Sequence, residues 1–174
     1  SITSQIDRQL SMGIIPSVAE IQQDPMLSPE TKIALINKIE AKAASTVPAD
    51  AAKDAEKIIK TALDNRAGYD RVGGGKKHES LEWAIQHARS RWNEVYASEL
   101  ARTSDHAAAK EAADSDFRKA IEDSRNGTGI YKIDESKKQG GLGIFSNYNT
   151  SGKAYGFDNL QRQVQEKLKS NPQA

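Results

Sequence analysis

The chain of 174 residues contains no cysteine. That absence removes disulfides, zinc–thiolate centres, iron–sulfur clusters and a cysteine nucleophile, and it leaves the redox compartment open. Charge of one sign is also missing, since 25 basic residues face 24 acidic ones. The balance holds along the chain: 8 basic against 9 acidic in residues 1–66, 13 against 13 in 67–145, and 4 against 2 in 146–174. No segment supplies the basic surface that phosphate neutralisation requires, so nucleic acid is disfavoured as a partner. No apolar run approaches the roughly 18 residues that mark a membrane-spanning helix. Ser1 in place of methionine fits a processed product or a piece of a longer polypeptide, and no charged-then-apolar signal segment is present.

Catalytic motifs are scarce as well. There is no G-x-S-x-G elbow and no dinucleotide fingerprint. The run Gly73-Gly74-Gly75-Lys76-Lys77 lacks P-loop spacing and a preceding strand, and reads as a flexible basic linker. The three histidines, His78, His87 and His106, do not form a zinc-helix pair, because His78-Glu79 has no second histidine four residues on. Ser124, Asn126, Thr128 and Glu135 fall at positions of a calcium loop with Gly129 at its glycine. Ser replaces the first Asp, however, and Tyr131 stands where an aliphatic residue belongs, so a turn at Asn126-Gly127 is the better reading. The adjacent carboxylates Asp114 with Asp116, and Glu122 with Asp123, point in different directions on a helix and do not read as acid/base pairs. No cofactor or metal is implied.

What the chain does have is amphipathic helix, punctuated by start and stop residues. Ile2, Ile6 and Leu10 recur at helical spacing before Gly13. Ser17 and Glu20 form a capping box for a short second helix. Ser28-Pro29-Glu30 gives an N-cap, a proline at the first helical position and an acid at the positive helix end, which predicts a third helix over 29–44. After Val47-Pro48, the stripe Ala52, Ala55, Ile59 and Ala62 predicts a fourth, to about residue 64. Leu81, Ile85, Ala88, Trp92 and Val95 make a long stripe, and Ala109, Ala113, Phe117 and Ala120 make another. The cap Thr103-Ser104-Asp105 lies between them, which predicts an antiparallel hairpin. Residues 129–133 and 142–148 are expected to pair as a short ribbon, and Phe157, Leu160, Val164 and Leu168 define a last helix.

The expected fold is therefore all-α, about six helices in antiparallel hairpins, with an irregular or β-ribbon region near 128–156. Its expected divisions are an N-terminal helical subdomain over 1–66, a glycine-rich linker over 67–77, and a helical hairpin, loop region and last helix over 78–174. Ser17 to Lys42 also fits a helix-turn-helix outline, but Glu30 and Glu40 beside its lysines oppose phosphate.

Trp83 stands out because at about 100° per residue it lies opposite the stripe of Leu81, Ile85 and Trp92, sharing its face with His87, Ser90 and Glu94. A tryptophan there is either an anchor for a partner or a sign that the helix is buried on both sides. Taken as anchors, Trp83, His87, Trp92 and Tyr96, with Phe145, Tyr148 and Tyr155 from the loop region, form the candidate partner-binding set. They imply protein partners or self-association.

Leu10, Gly13, the string Asp24-Pro25-Met26-Leu27-Ser28-Pro29-Glu30, and then Leu35 and Ile39 resemble the short helical units of large internal virion proteins of tailed bacteriophages. The alanine-rich stretch 92–131 is similar in style. Such ejection or core proteins are long helical polypeptides that leave the capsid with the DNA, and some carry a separate lytic transglycosylase domain. The resemblance implies a non-enzymatic helical segment, located in the virion, and it transfers no catalytic residue. Two other functions compete with this structural role. One is a glycan-acting enzyme using Glu94, Glu99 or Asp134 beside the Asn/Tyr/Gly-rich region, and the other is an extracytoplasmic helical sensor or binding domain.

Overall fold

A computed structural model describes residues 1–69, 77–148 and the helix 157–170, with side chains of that last helix from residue 164 onward. Among the described residues the fold is mainly helical, with one small antiparallel sheet. The helices are α1 (Ile2–Ser11), α2 (Val18–Gln23), α3 (Pro29–Thr46), α4 (Ala49–Ala67), α5 (Glu79–Thr103), α6 (His106–Arg125) and α7 (Phe157–Ser170). Between α6 and α7 lie the strands β1 (Ile133–Gln139) and β2 (Leu142–Phe145).

The start signals act as their chemistry requires. Ser17 Oγ accepts the Glu20 amide at 3.3 Å, and Ser28 Oγ accepts the Thr31 amide at 3.2 Å. Asp105 Oδ1 accepts two amides, from Ala107 and Ala108. Each cap satisfies donors that have no partner within their own helix.

Helix α5 is the centre of the molecule. It runs antiparallel to α6, as Arg91 meeting Asp116 and Tyr96 meeting His106 show. It is antiparallel to α4 too, since Arg89 meets Glu56 and Lys77 lies 3.7 Å from Asp64. Ala109 and Ala113, both fully buried, let α6 approach α5 closely. One buried cluster joins Ile59 and Leu63 of α4, Leu81, Ile85 and Trp92 of α5, Phe117 and Ile121 of α6, and Tyr131 and Phe145 around the ribbon. A second joins Ile6 and Leu10 of α1, Ile21 of α2, and Leu35, Ile36 and Ile39 of α3.

These clusters divide the chain differently from the sequence expectation. The apolar stripe of α4 packs on α5, so α4 shares a core with the helices that follow residues 67–77. Of that glycine-rich stretch, 70–76 lie outside the described residues. The ribbon is also displaced from its expected start. Gly129 turns the chain with φ +82° and Tyr131 plunges into the core, so pairing begins at Ile133 opposite Phe145 and not at residue 129. Gly140 and Gly141 close the hairpin with φ +56° and +84°, the left-handed pair that a tight two-residue turn demands. A two-stranded ribbon is marginal alone. Here Ile133 and Phe145 sink into the helical core, and the Phe145 amide points to Ser80 Oγ of α5 at 3.4 Å.

Candidate functional site

Because α5 is covered by α4 and α6, its remaining side faces an open cleft of about 720 Å³. Trp83, His87, Ser90 and Glu94 line it, the off-stripe face read from the sequence. Helix α2 and Glu40 of α3 form one wall. Helix α6 from Asp116 to Asp123, the turn at Gly129–Tyr131 and Asn147 form the other. Helix α2 is held across the cleft mouth at both ends: the Val18 amide donates to Glu94 Oε1 at 3.3 Å, and Lys32 Nζ donates to the Gln22 carbonyl at 2.8 Å.

The electrostatics of the cleft are built on carboxylates. Arg91 grips Asp116 with two hydrogen bonds of 3.1 Å and stands 3.8 Å from Glu94. Burial raises the Glu94 carboxyl, and the Val18 amide and Arg91 oppose that rise only in part. Glu40 is raised by burial as well, with Ser90 as its hydrogen-bond partner and Glu94 as a like charge nearby. His87 Nδ1 is 3.0 Å from the Tyr131 hydroxyl, and its ring tilts against Trp83 with centroids 5.7 Å apart. Burial, aided by Arg91, lowers His87 to about 4, so the ring is neutral near pH 7. Burial pushes the Tyr131 phenol up, which keeps it protonated. The tautomer of His87 follows from which partner gives its proton to the other. No described residue hydrogen-bonds its second nitrogen, Nε2.

The proposed anchors separate into groups. Trp83 is only 6% exposed, and with His87 it forms part of the cleft floor. Trp92, Tyr96 and Phe145, expected as anchors, are instead sealed in the core. Trp92 stacks on Tyr96 and donates its Nε1–H to Asp114 at 3.0 Å, and the Tyr96 hydroxyl is hydrogen-bonded to His106 Nδ1 at 2.6 Å. The burial of Trp92 and Tyr96 follows from the face of α5 they share, which α4 and α6 cover. Tyr148 is half-buried against Trp83 and donates to Glu79 Oε2 at 2.7 Å. Tyr155 lies outside the described residues.

Of the carboxylates offered to an enzyme, Glu94 lines the cleft, whereas Glu99 is bound to Arg102 and Asp134 to Ser136 beside the ribbon. Ser124, first in the calcium pattern, is fully buried with its hydroxyl donated to the Ile121 carbonyl, and Arg66 binds it from α4. His78 caps α5 by accepting the Ser80 amide. Glu40, Arg91, Asp116 and Tyr131 were not legible as site residues. They come from three helices and a turn, and only the packing brings them together.

The class that fold and site define is a mainly helical protein with a mixed polar and aromatic cleft against its central helix. No family model, curated protein or solved structure matches the chain. Among the described residues, no three His, Asp or Glu side chains are grouped to hold a metal ion, and no helix is long and apolar enough to cross a membrane.

Proposed function

We propose that the protein is a non-catalytic interaction module of a larger assembly, and that it receives part of another protein in the cleft between α2, α3, α5 and α6. The observation that carries this reading is the cleft itself. At about 720 Å³ it lies within the range of binding sites, and its walls come from four helices that cap and hydrogen-bond one another into place. The resemblance of residues 10–39 and 92–131 to helical units of internal virion proteins supports a virion as that assembly.

Solution mass by light scattering, at two protein concentrations, tests the reading together with Ala19→Trp, which fills the cleft from an exposed position on α2. A mass that rises with concentration in the parent protein, and not in the variant, supports self-association through the cleft. A constant 19.0 kDa mass assigns the partner to a foreign chain. Since the chain has no cysteine, Gln22→Cys then supplies a single thiol at the cleft. Its alkylation should slow when the protein is within its native complex, and an unchanged rate would overturn the reading.

A second reading, a glycan-acting enzyme, draws on Glu94 and Asn147 lining one cleft. A raised, partly buried carboxyl is the form a general acid needs. Turnover of cell-wall material that Glu94→Gln abolishes would establish it in place of the first.

A further inference from the structure

Resting on the interaction reading, we infer that the group received by the cleft is cationic, an arginine or lysine side chain presented by the partner protein.

The argument begins with which charges the cleft has already satisfied. Four carboxylates line it, Glu40, Glu94, Asp116 and Asp123, against two cations, Arg91 and Lys119. Arg91 is committed to Asp116 through both hydrogen bonds of its fork. Lys119 pairs with Asp123 at 3.3 Å from an outer, largely exposed position. That leaves Glu94, which has a backbone amide and a distant edge of Arg91, and Glu40, whose partner is the neutral hydroxyl of Ser90. His87 adds no positive charge, because it is neutral near pH 7. The cleft therefore carries an excess of negative charge, and the excess lies on its inner, α3–α5 side.

The surroundings strengthen that excess. Trp83 and His87 floor the cleft, and a carboxylate partly buried beside them attracts an incoming cation more strongly than one in open water. The free Nε2 of His87 is an independent indication. When Nδ1–H donates to Tyr131, Nε2 becomes an acceptor, and with the Glu40 and Glu94 carboxylates the cleft then offers three acceptor groups to a multi-donor group. An ammonium has three N–H donors and a guanidinium five, and neither accepts any. An anion would meet the excess carboxylate charge, and a neutral group would leave that excess unbalanced. The cleft is also larger than any one side chain, which favours a cation carried on a polypeptide over a free amine.

The test is a titration of the full, nitrogen-15-labelled chain, read at the Trp83 indole and at the Ser90 and Glu94 amides. The probes are acetyl-Gly-Arg-Gly-amide, the same peptide with neutral citrulline for arginine, agmatine, and acetate. The arginine peptide should saturate these signals, with the citrulline peptide weaker by about tenfold or more. It should also drive His87 to the tautomer with an unprotonated Nε2. Glu40→Gln should weaken arginine binding by a similar factor without lowering the melting temperature, and Glu94→Gln serves if Glu40→Gln fails to fold. Equal binding of the citrulline peptide, or preference for acetate, would overturn the cationic assignment and leave the interaction reading intact. Tighter binding of agmatine than of the peptide would overturn the protein-borne source. Silence from every probe would also overturn the inference, while the mass and alkylation measurements judge the interaction reading separately.

Discussion

Two sides of helix α5 are built from the same residue types to opposite ends. Toward α4 and α6, Leu81, Ile85, Ala88, Trp92 and Tyr96 are sealed, and the polar atoms among them find partners: Trp92 on Asp114, Tyr96 on His106. Toward α2 and α3, Trp83 is also nearly sealed, yet His87, Ser90 and Glu94 above it line open space, and burial disfavours the charged forms of His87 and Glu94. The first side spends its aromatics on stability. The second holds titratable groups in states that water would relieve, an arrangement a folded core avoids and a binding site uses. Substitutions on the two sides should therefore fail differently.

The largest effect belongs to the sealed side. Trp92→Ala removes a fully buried ring, breaks its stack on Tyr96 and strands Asp114, and should cost about 3–5 kcal/mol in urea unfolding. A loss under about 1 kcal/mol would mean that the hairpin core repacks freely and that the contrast between the two sides is false.

Next is a pH effect on the cleft side. The folded-state pKa of His87 is about 4 against an ordinary value of about 6.5, so between these pH values the unfolded chain binds more protons than the native one. The stability this group contributes is present above about pH 6.5 and is lost as pH falls toward about 4, on the order of 3 kcal/mol in all. Comparing the protein with His87→Gln at pH 7, 5.5 and 4.5 isolates the term, because other titrations cancel. Parallel curves would remove His87 from the buried floor.

Smaller changes sharpen the sealed side. Ala113→Leu forces a larger side chain between α5 and α6 where none is exposed, and should cost about 1–3 kcal/mol by thermal melting. Asp105→Ala removes the acceptor of two amides at the start of α6 and should cost about 1 kcal/mol.

Much of this architecture was legible because it is local. Ser17, Ser28 and Asp105 announce helices through bonds made within three residues, and those signals survive any tertiary arrangement. The face of Trp83, His87, Ser90 and Glu94 was legible for the same reason, since it follows from helical spacing alone. What periodicity does not carry is the identity of the neighbour. It cannot show that α4 lies on α5, across the boundary expected at residues 67–77. Nor can it show that α5 is enclosed on more than one side, which turned Trp92, Tyr96 and Phe145 from expected surface anchors into core. Glu40 and Asp116 join the cleft across gaps of 54 and 22 residues from Glu94, contacts that only the packed structure supplies.

The smallest expected stability effect is the one that separates the two sides most cleanly. Glu40 is disfavoured as an anion by burial and by Glu94 beside it, and Ser90 supplies only a neutral hydrogen bond. Glu40→Gln keeps the shape and an oxygen for Ser90 while deleting the charge. Unfolding should therefore change by less than about 1 kcal/mol, in the stabilising direction. On the sealed side a comparable substitution at Trp92 or Tyr96 carries a cost, because each is matched by packing and by a hydrogen-bond partner. A residue whose removal leaves the fold equal or stronger is retained for something other than the fold, as sites that trade stability for function commonly are. A clear loss of stability in Glu40→Gln would instead make Glu40 a structural acceptor for Ser90, and would reduce the α3 wall of the cleft to packing.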